Sequence, residues 1–122
     1  MDEDSSLLEI NIDKKNYLRL YAYTYHDEIR LTVSLETDDS VISSENLKPA
    51  FCPFTGKKIS SDSEDMNRLA KGISLKQSNG KMLEHCCFID GKTIHLHTPD
   101  RQLHYQLAFD PLTGIGMKQP KR

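Results

Sequence analysis

Two adjoining stretches of strict alternation constrain this chain more than anything else in it. From Tyr17 to Tyr25, Leu18, Leu20, Ala22 and Thr24 fall on one face, and Tyr17, Arg19, Tyr21, Tyr23 and Tyr25 on the other. From Glu28 to Glu36, Ile29, Leu31, Val33 and Leu35 alternate with Glu28, Arg30, Thr32, Ser34 and Glu36. Period two over this length predicts half-buried strands, and the aromatic and β-branched content agrees. With His26-Asp27 as the turn, Leu18 faces Leu35, Leu20 faces Val33, Ala22 faces Leu31 and Tyr23 faces Arg30. A slip of one residue would put the two apolar sets on opposite faces, so the register is tightly specified. Leu8, Ile10 and Ile12 supply an earlier strand that turns at Asp13-Lys14-Lys15-Asn16. Residues 7–36 therefore predict a three-stranded meander.

Residues 37–81 are less regular. Asp38, Asp39, Ser40, Ser43, Ser44 and Asn46 mark loops, with Val41-Ile42 a short strand between them. Ser61 and Glu64 form a capping-box pair ahead of Met66, Leu69 and Ala70 at helical spacing, and Gly72 is a stop. One helix is expected, over about 62–71. Strands return at Met82–Ile89, Lys92–Thr98 and Arg101–Phe109, separated by Asp90-Gly91 and Pro99-Asp100. A turn at Asp110–Gly114 and a tail over 115–122 close the chain. No internal repeat and no low-complexity tract stand out. The expected architecture is a single α+β domain over 1–122, mainly antiparallel β. Its two meanders, 7–36 and 82–109, share one extended sheet or pack as two.

The C-terminal turns imply a register of their own. Across Asp90-Gly91, Ile89 pairs with Lys92, Cys87 with Ile94 and His85 with Leu96. Across Pro99-Asp100, Leu96 pairs with Leu103 and Ile94 with Tyr105. His85 and Cys87 then belong to an apolar face with Leu83, Ile89, Ile94, Leu96, Leu103, Tyr105 and Leu107. The opposite face gathers chemistry: Cys86, His95 and His104 in one row, Glu84, His97 and Gln102 in the next. Facing Cβ atoms on one sheet lie only ~4.5–5.5 Å apart. A transition metal takes imidazole and thiolate at ~2.0–2.3 Å in a tetrahedron. The row therefore suggests a divalent metal, zinc first, held by His95, His97 and His104 with Cys86 or Glu84 as fourth ligand or support. The alternatives are that these are ordinary polar or half-buried residues, or that the helix packs on this face and covers it.

His95-Leu96-His97 with His104 opposite resembles, over about ten residues, the His-x-His and adjacent-strand histidine of the α-carbonic anhydrases, and the cupins also place His-x-His on a strand. The resemblance implies a hydrolytic or hydrating metal site and stops at those residues. Cys52-Pro-Phe-Thr55-Gly-Lys-Lys-Ile59 resembles half of a zinc-ribbon knuckle, whose usual form is Cys-Pro-x-Cys-Gly. Thr55 stands at the second cysteine's place, and no second Cys-x-x-Cys exists to complete four ligands.

The tyrosine-bearing face is the other candidate surface: Tyr17, Tyr21, Tyr23 and Tyr25 share it with Arg19 and, across the register, Arg30. Such a face anchors a protein partner, or else buries its rings against a helix or second sheet. The 122 residues carry 16 basic and 18 acidic side chains, a net of −2. The acidic surplus lies in residues 1–50 and the basic surplus in 51–122. This balance argues against nucleic acid and an anionic membrane as partners. Three cysteines, an odd number, do not make a disulfide framework. The acidic, polar start does not resemble a secretory signal, so a reducing cytoplasm is expected. Walker A, Gly-x-Gly-x-x-Gly, Gly-x-Ser-x-Gly and His-Glu-x-x-His motifs are absent from the sequence. Together these features predict a non-enzymatic cytoplasmic module that binds a protein partner or associates with itself as a dimer, through the tyrosine face or an exposed sheet edge. The metal domain is the second reading.

Overall fold

Alternation governs the structure, a computed structural model that describes residues 4–26, 28–59 and 64–116. The first sheet has four strands: β1 (Asp4–Asn11), β2 (Tyr17–Tyr25), β3 (Glu28–Glu36) and β4 (Val41–Leu47), in that order and all antiparallel. The β2–β3 register is the one the apolar sets demand, with Leu18 opposite Leu35, Leu20 opposite Val33, Ala22 opposite Leu31 and Tyr23 opposite Arg30. His26 accommodates the tight connection by adopting φ +51°. The β1–β2 loop is tied by Asp13, whose carboxylate accepts from the Lys15 and Asn16 amides at 2.7 and 2.9 Å. β4 runs well beyond Val41-Ile42. Ser43 to Asn46 carry no apolar signal, but the β3 backbone gives them a ladder to join.

One helix follows, α1 (Glu64–Lys71), burying Met66 and Leu69. The expected cap Ser61 and the first residues of the expected helix lie outside the described residues. Then comes a second sheet: β5 (Ile73–Lys76), β6 (Met82–Asp90), β7 (Thr93–Thr98) and β8 (Arg101–Gln106), again in sequence order. β5 was not anticipated. Its four residues are too few for a periodic signal, yet Ile73 and Leu75 are buried.

The meanders form two packed sheets. β1 lies near β7 and β8, β2 near β7, and at the other side β5 lies near β3 and β4. Between them sit Leu18, Leu20, Leu31, Val33, Leu35 and Leu47 from the first sheet and Leu75, Ile94 and Leu96 from the second, each 2% exposed or less. Burial of each such side chain contributes ~1.5–3 kcal/mol. Among the described residues a side chain joins each pair of facing edges. Ser43 Oγ donates to the Lys76 carbonyl at 2.9 Å, and the Arg101 guanidinium donates to the Asn11 carbonyl. Leu103, expected in the core, is 37% exposed on the edge strand β8.

A repeat does exist, and it is short enough to escape a search for periodicity. Ala50-Phe51-Cys52-Pro53-Phe54-Thr55-Gly56 follows the first sheet, and Ala108-Phe109-Asp110-Pro111-Leu112-Thr113-Gly114 follows the second. The two segments close identical turns. The Gly56 amide bonds to the Cys52 carbonyl at 2.8 Å and the Gly114 amide to the Asp110 carbonyl at 2.7 Å. Phe51 bridges Lys58, and Phe109 bridges Gly116. Residues 115–116 therefore belong to the turn and not to a tail. Contact between the turns is reciprocal: the Phe51 amide bonds to the Pro111 carbonyl and the Phe109 amide to the Pro53 carbonyl, both at 2.9 Å. Each phenyl ring lies against the other turn's glycine. A Cβ on Gly56 would meet the Phe109 ring at 2.6 Å, and one on Gly114 the Phe51 ring at 2.7 Å.

Candidate functional site

The outer face of the first sheet gathers an aromatic and cationic array. Because Leu18, Leu20 and Ala22 point inward, Tyr17, Arg19, Tyr21 and Tyr23 must point outward, and all four are half-buried. The long side chains of β2 lie beside short ones on β3. Thr32, between Tyr21 and Asn46 in the register, is buried, and so is Ser34, between Arg19 and Ser44. Thr32 satisfies its hydroxyl by donating to Asn46 Oδ1 at 2.7 Å.

Glu36 is the polar hub. Its carboxylate accepts from Tyr17 Oη at 3.2 Å and from Ser34 Oγ, and lies 3.5 Å from Arg19 Nη1. Desolvation, with the Glu36 carboxylate alongside, pushes the Tyr17 phenol above its ordinary value. The Arg19 guanidinium sits 4.2 Å over the Tyr21 ring, whose neighbour Tyr23 is 6.4 Å away between centroids. Arg30 pairs with Glu28 at 2.9 Å. The side chain of Tyr25 lies outside the described residues.

Tyr23 stands between two shallow pockets. One, of about 320 Å³, is lined by Tyr23, Arg30, Asn46, Leu47, Lys48 and Asp65. The other, about 360 Å³, is lined by Leu7, Ala22, Tyr23, Ile29, Phe54 and Tyr105 among others. Sequence reasoning missed Glu36, although the correct register already set it opposite Tyr17 and that pairing was the available signal.

The second sheet departs from expectation. Gly91 and Lys92 form the β6–β7 turn, since Gly91 readily takes φ +63° and leaves Asp90 to pair with Thr93. The β6 pairing therefore moves by two residues. Phe88, not Cys86, stands opposite His95, and Cys87 stands opposite Leu96. A bulge compounds this: between Ile73 and Leu75 the strands lose register, and His85 adopts φ +53°. His85 is exposed, with its ring against Gly72, where a Cβ would meet Nδ1 at 2.5 Å. Cys86 and Cys87 are both buried.

Burial pushes the Cys86 thiol up to about 12 and raises the Cys87 thiol as well, so neither supplies a thiolate near neutral pH. Cys86 donates to the Ile73 carbonyl at 3.4 Å. It does not stand opposite His95. Glu84 is exposed and lies in no register pair with His97.

The rest of the row holds, with His95 opposite His104 and His97 opposite Gln102. The rings of His95 and His104 are 6.0 Å apart between centroids. Phe88 occupies the space meant for a thiolate, stacked on His95 at 4.6 Å and edge-on to His97 at 6.0 Å. The Nδ1 atoms of His95 and His97 are buried without a hydrogen-bond partner. Among the described residues no group of three His, Cys, Asp or Glu side chains converges in metal-holding geometry.

Fold and surface together define a two-sheet antiparallel β protein with an aromatic and cationic outer face. No known family, no curated protein and no solved structure matches the chain. Among the described residues no helix is long and apolar enough to cross a membrane.

Proposed function

We propose that the chain is a non-enzymatic binding module that engages a protein partner through the outer face of its first sheet. The reading rests on one observation above all: Tyr17, Arg19, Tyr21 and Tyr23 stand on the face turned away from the second sheet and are held in place by one another and by Glu36. Tyrosine and arginine dominate binding energy at protein interfaces when they are rigid and central. Here their rotamers are already restrained, so docking loses little side-chain entropy. The pockets on either side of Tyr23 offer places for a partner's side chains. The cations of the face stand beside carboxylates, Arg19 near Glu36 and Arg30 near Glu28, which suits a protein surface better than a run of phosphates.

The test is the double substitution Tyr21→Ala, Tyr23→Ala. Affinity capture from a cell extract with quantitative mass spectrometry should lose the partner, while the thermal midpoint stays within a few degrees of wild type. If the partner is a second copy of the chain, light scattering should show a wild-type dimer and a mutant monomer. Undiminished capture and unchanged mass would reject the surface.

A further inference from the structure

The two halves agree beyond their terminal turns. The last strand of each sheet sends one side chain to the final residue of the other sheet's first strand, Ser43 to Lys76 and Arg101 to Asn11. Neighbour relations between the sheets match as well, β1 with β8 as β5 with β4, and β1 with β7 as β5 with β3. This is the reciprocity of a symmetric dimer, realised within one chain.

One element breaks the correspondence. Both first strands lose register with their neighbours, between Ser6 and Leu8 in β1 and between Ile73 and Leu75 in β5. Ahead of Ile73 the chain turns at Gly72 into α1, which lies against β6 and β4. The helix is fastened to the β4 side: Asp65 accepts from the Lys48 amide at 3.0 Å, and Arg68 pairs with Glu45. Met66 and Leu69, one helical turn apart, are wholly buried. Ahead of Leu8 the chain instead continues as strand to Asp4. A strand takes up about 5 Å of width where a helix takes up about 10–12 Å.

The place that corresponds to that of α1 lies between β2 and β8, and the narrower strand leaves part of it open. The pocket of about 360 Å³ is found there, joining Ala22 and Tyr23 of β2 to Tyr105 of β8, with Leu7, Ile29 and Phe54. Leu7, Ile29, Phe54 and Tyr105 are only partly buried, whereas Leu47, Met66 and Leu69 on the opposite flank are fully so. Past Ile29 and Phe54 a further hollow, about 380 Å³, brings the exposed Lys57 and Lys58 to the rim. Among the described residues the carboxylate lining it is Glu28, already beside Arg30 at 2.9 Å and Lys48 at 4.0 Å. The trough therefore has an apolar floor and a cationic end.

Resting on the reading that the first sheet engages a protein, we propose that the partner presents an acidic amphipathic helix, seated against β2 and β8 as α1 is seated against β6 and β4. Two apolar side chains one turn apart enter the hollow beside Tyr23, the part that Met66 and Leu69 play on the other flank. Carboxylates on the flank of that helix meet Lys57 and Lys58.

The test selects random phage-displayed peptides, long enough for about four helical turns (about 15 residues), on the full chain. Selected peptides should carry apolar residues at i and i+3 or i+4 with Asp or Glu among them, and should gain helical circular dichroism when bound. Phe54→Ala should weaken them by at least about tenfold in fluorescence polarisation, the loss of a central contact. Tyr21 lies on the tyrosine face outside both linings, so Tyr21→Ala separates the two readings. Loss of binding with Tyr21→Ala but not with Phe54→Ala would overturn the helix site and leave the tyrosine face standing. Should Phe54→Ala fail to fold, the double substitution Lys57→Glu, Lys58→Glu on exposed positions decides, with a similar loss expected and unchanged affinity refuting. A consensus of period two, one without acidic residues, or no enriched peptide at all would also overturn the proposal, while capture by the tyrosine face is judged by its own double substitution.

Discussion

Alanine in place of Gly56 probes the contact that joins the two halves. Gly56 has φ +77°, and a Cβ there would come within 2.6 Å of Phe109 Cδ2 and 2.8 Å of Cε2. Two penalties follow. The left-handed backbone costs an L-residue about 1–2 kcal/mol. Displacing a ring that is already fitted costs about 1–3 kcal/mol, as overpacking does elsewhere. Gly56→Ala should therefore destabilise by roughly 2–5 kcal/mol, a large share of the ~5–15 kcal/mol typical of a small domain. The protein contains its own controls: Gly80 and Gly91 also have positive φ, +88° and +63°, but nothing lies within 4 Å of their virtual Cβ atoms. Alanine at either should incur only the backbone term, about 1–2 kcal/mol. Urea unfolding monitored by far-UV circular dichroism gives each value from the midpoint at constant m. In a Phe109→Leu background the smaller side chain yields, and the cost of Gly56→Ala should shrink toward that of the controls. Gly114→Ala with Phe51→Leu should repeat the pattern. Equal costs at all four glycines, or a Gly56→Ala cost unmoved by Phe109→Leu, would refute the ring-on-glycine account.

Two further outcomes follow from the titrating groups. The raised phenol of Tyr17 means that the folded state holds its proton longer than the unfolded chain, whose value is near 10.0. Its contribution is therefore fully present below pH 10 and disappears as pH rises through the folded value. Tyr17→Phe should flatten the alkaline fall in urea midpoint, and parallel slopes for mutant and wild type would refute the assignment. With 5,5′-dithiobis(2-nitrobenzoate) at pH 8, only half-buried Cys52 should react promptly, Cys86 and Cys87 joining after denaturation. Prompt reaction of all three in the native protein would contradict the burial of the pair.

What was legible in the sequence was whatever repeats with a period. The β2–β3 register follows from three apolar residues on β2 and four on β3, because a slip of one residue would put the two sets on opposite faces. The β7–β8 register follows in the same way around Pro99-Asp100. Backbone events at single residues were not legible. Gly91 moved into the first turn position and shifted β6 by two, and the His85 bulge buried two successive cysteines. Both changes fall on the one strand that carries Cys86 and Glu84, which is why neither stands in the row expected of it while His95 and His104 still meet. Strand β4 was underestimated for a different reason. Ser43 to Asn46 are strand because β3 offers them partners, a property of the sheet and not of the segment. The tyrosine face was foreseen residue by residue, but its organising carboxylate, Glu36, looked like any other exposed acid.

Placing both ring-on-glycine contacts inside one polypeptide alters their mass action. Between separate subunits, such contacts would weaken on dilution, and a mutation in one copy would appear in both. Tethered, each turn meets the other at an effective concentration set by the intervening chain, so the joint forms at any protein concentration. The partners are also released from being the same. One turn carries Cys52 where the other carries Asp110, and one sheet presents tyrosine with arginine where the other presents phenylalanine with histidine. A single chain with two such faces can specialise each one separately, a freedom that identical subunits do not have.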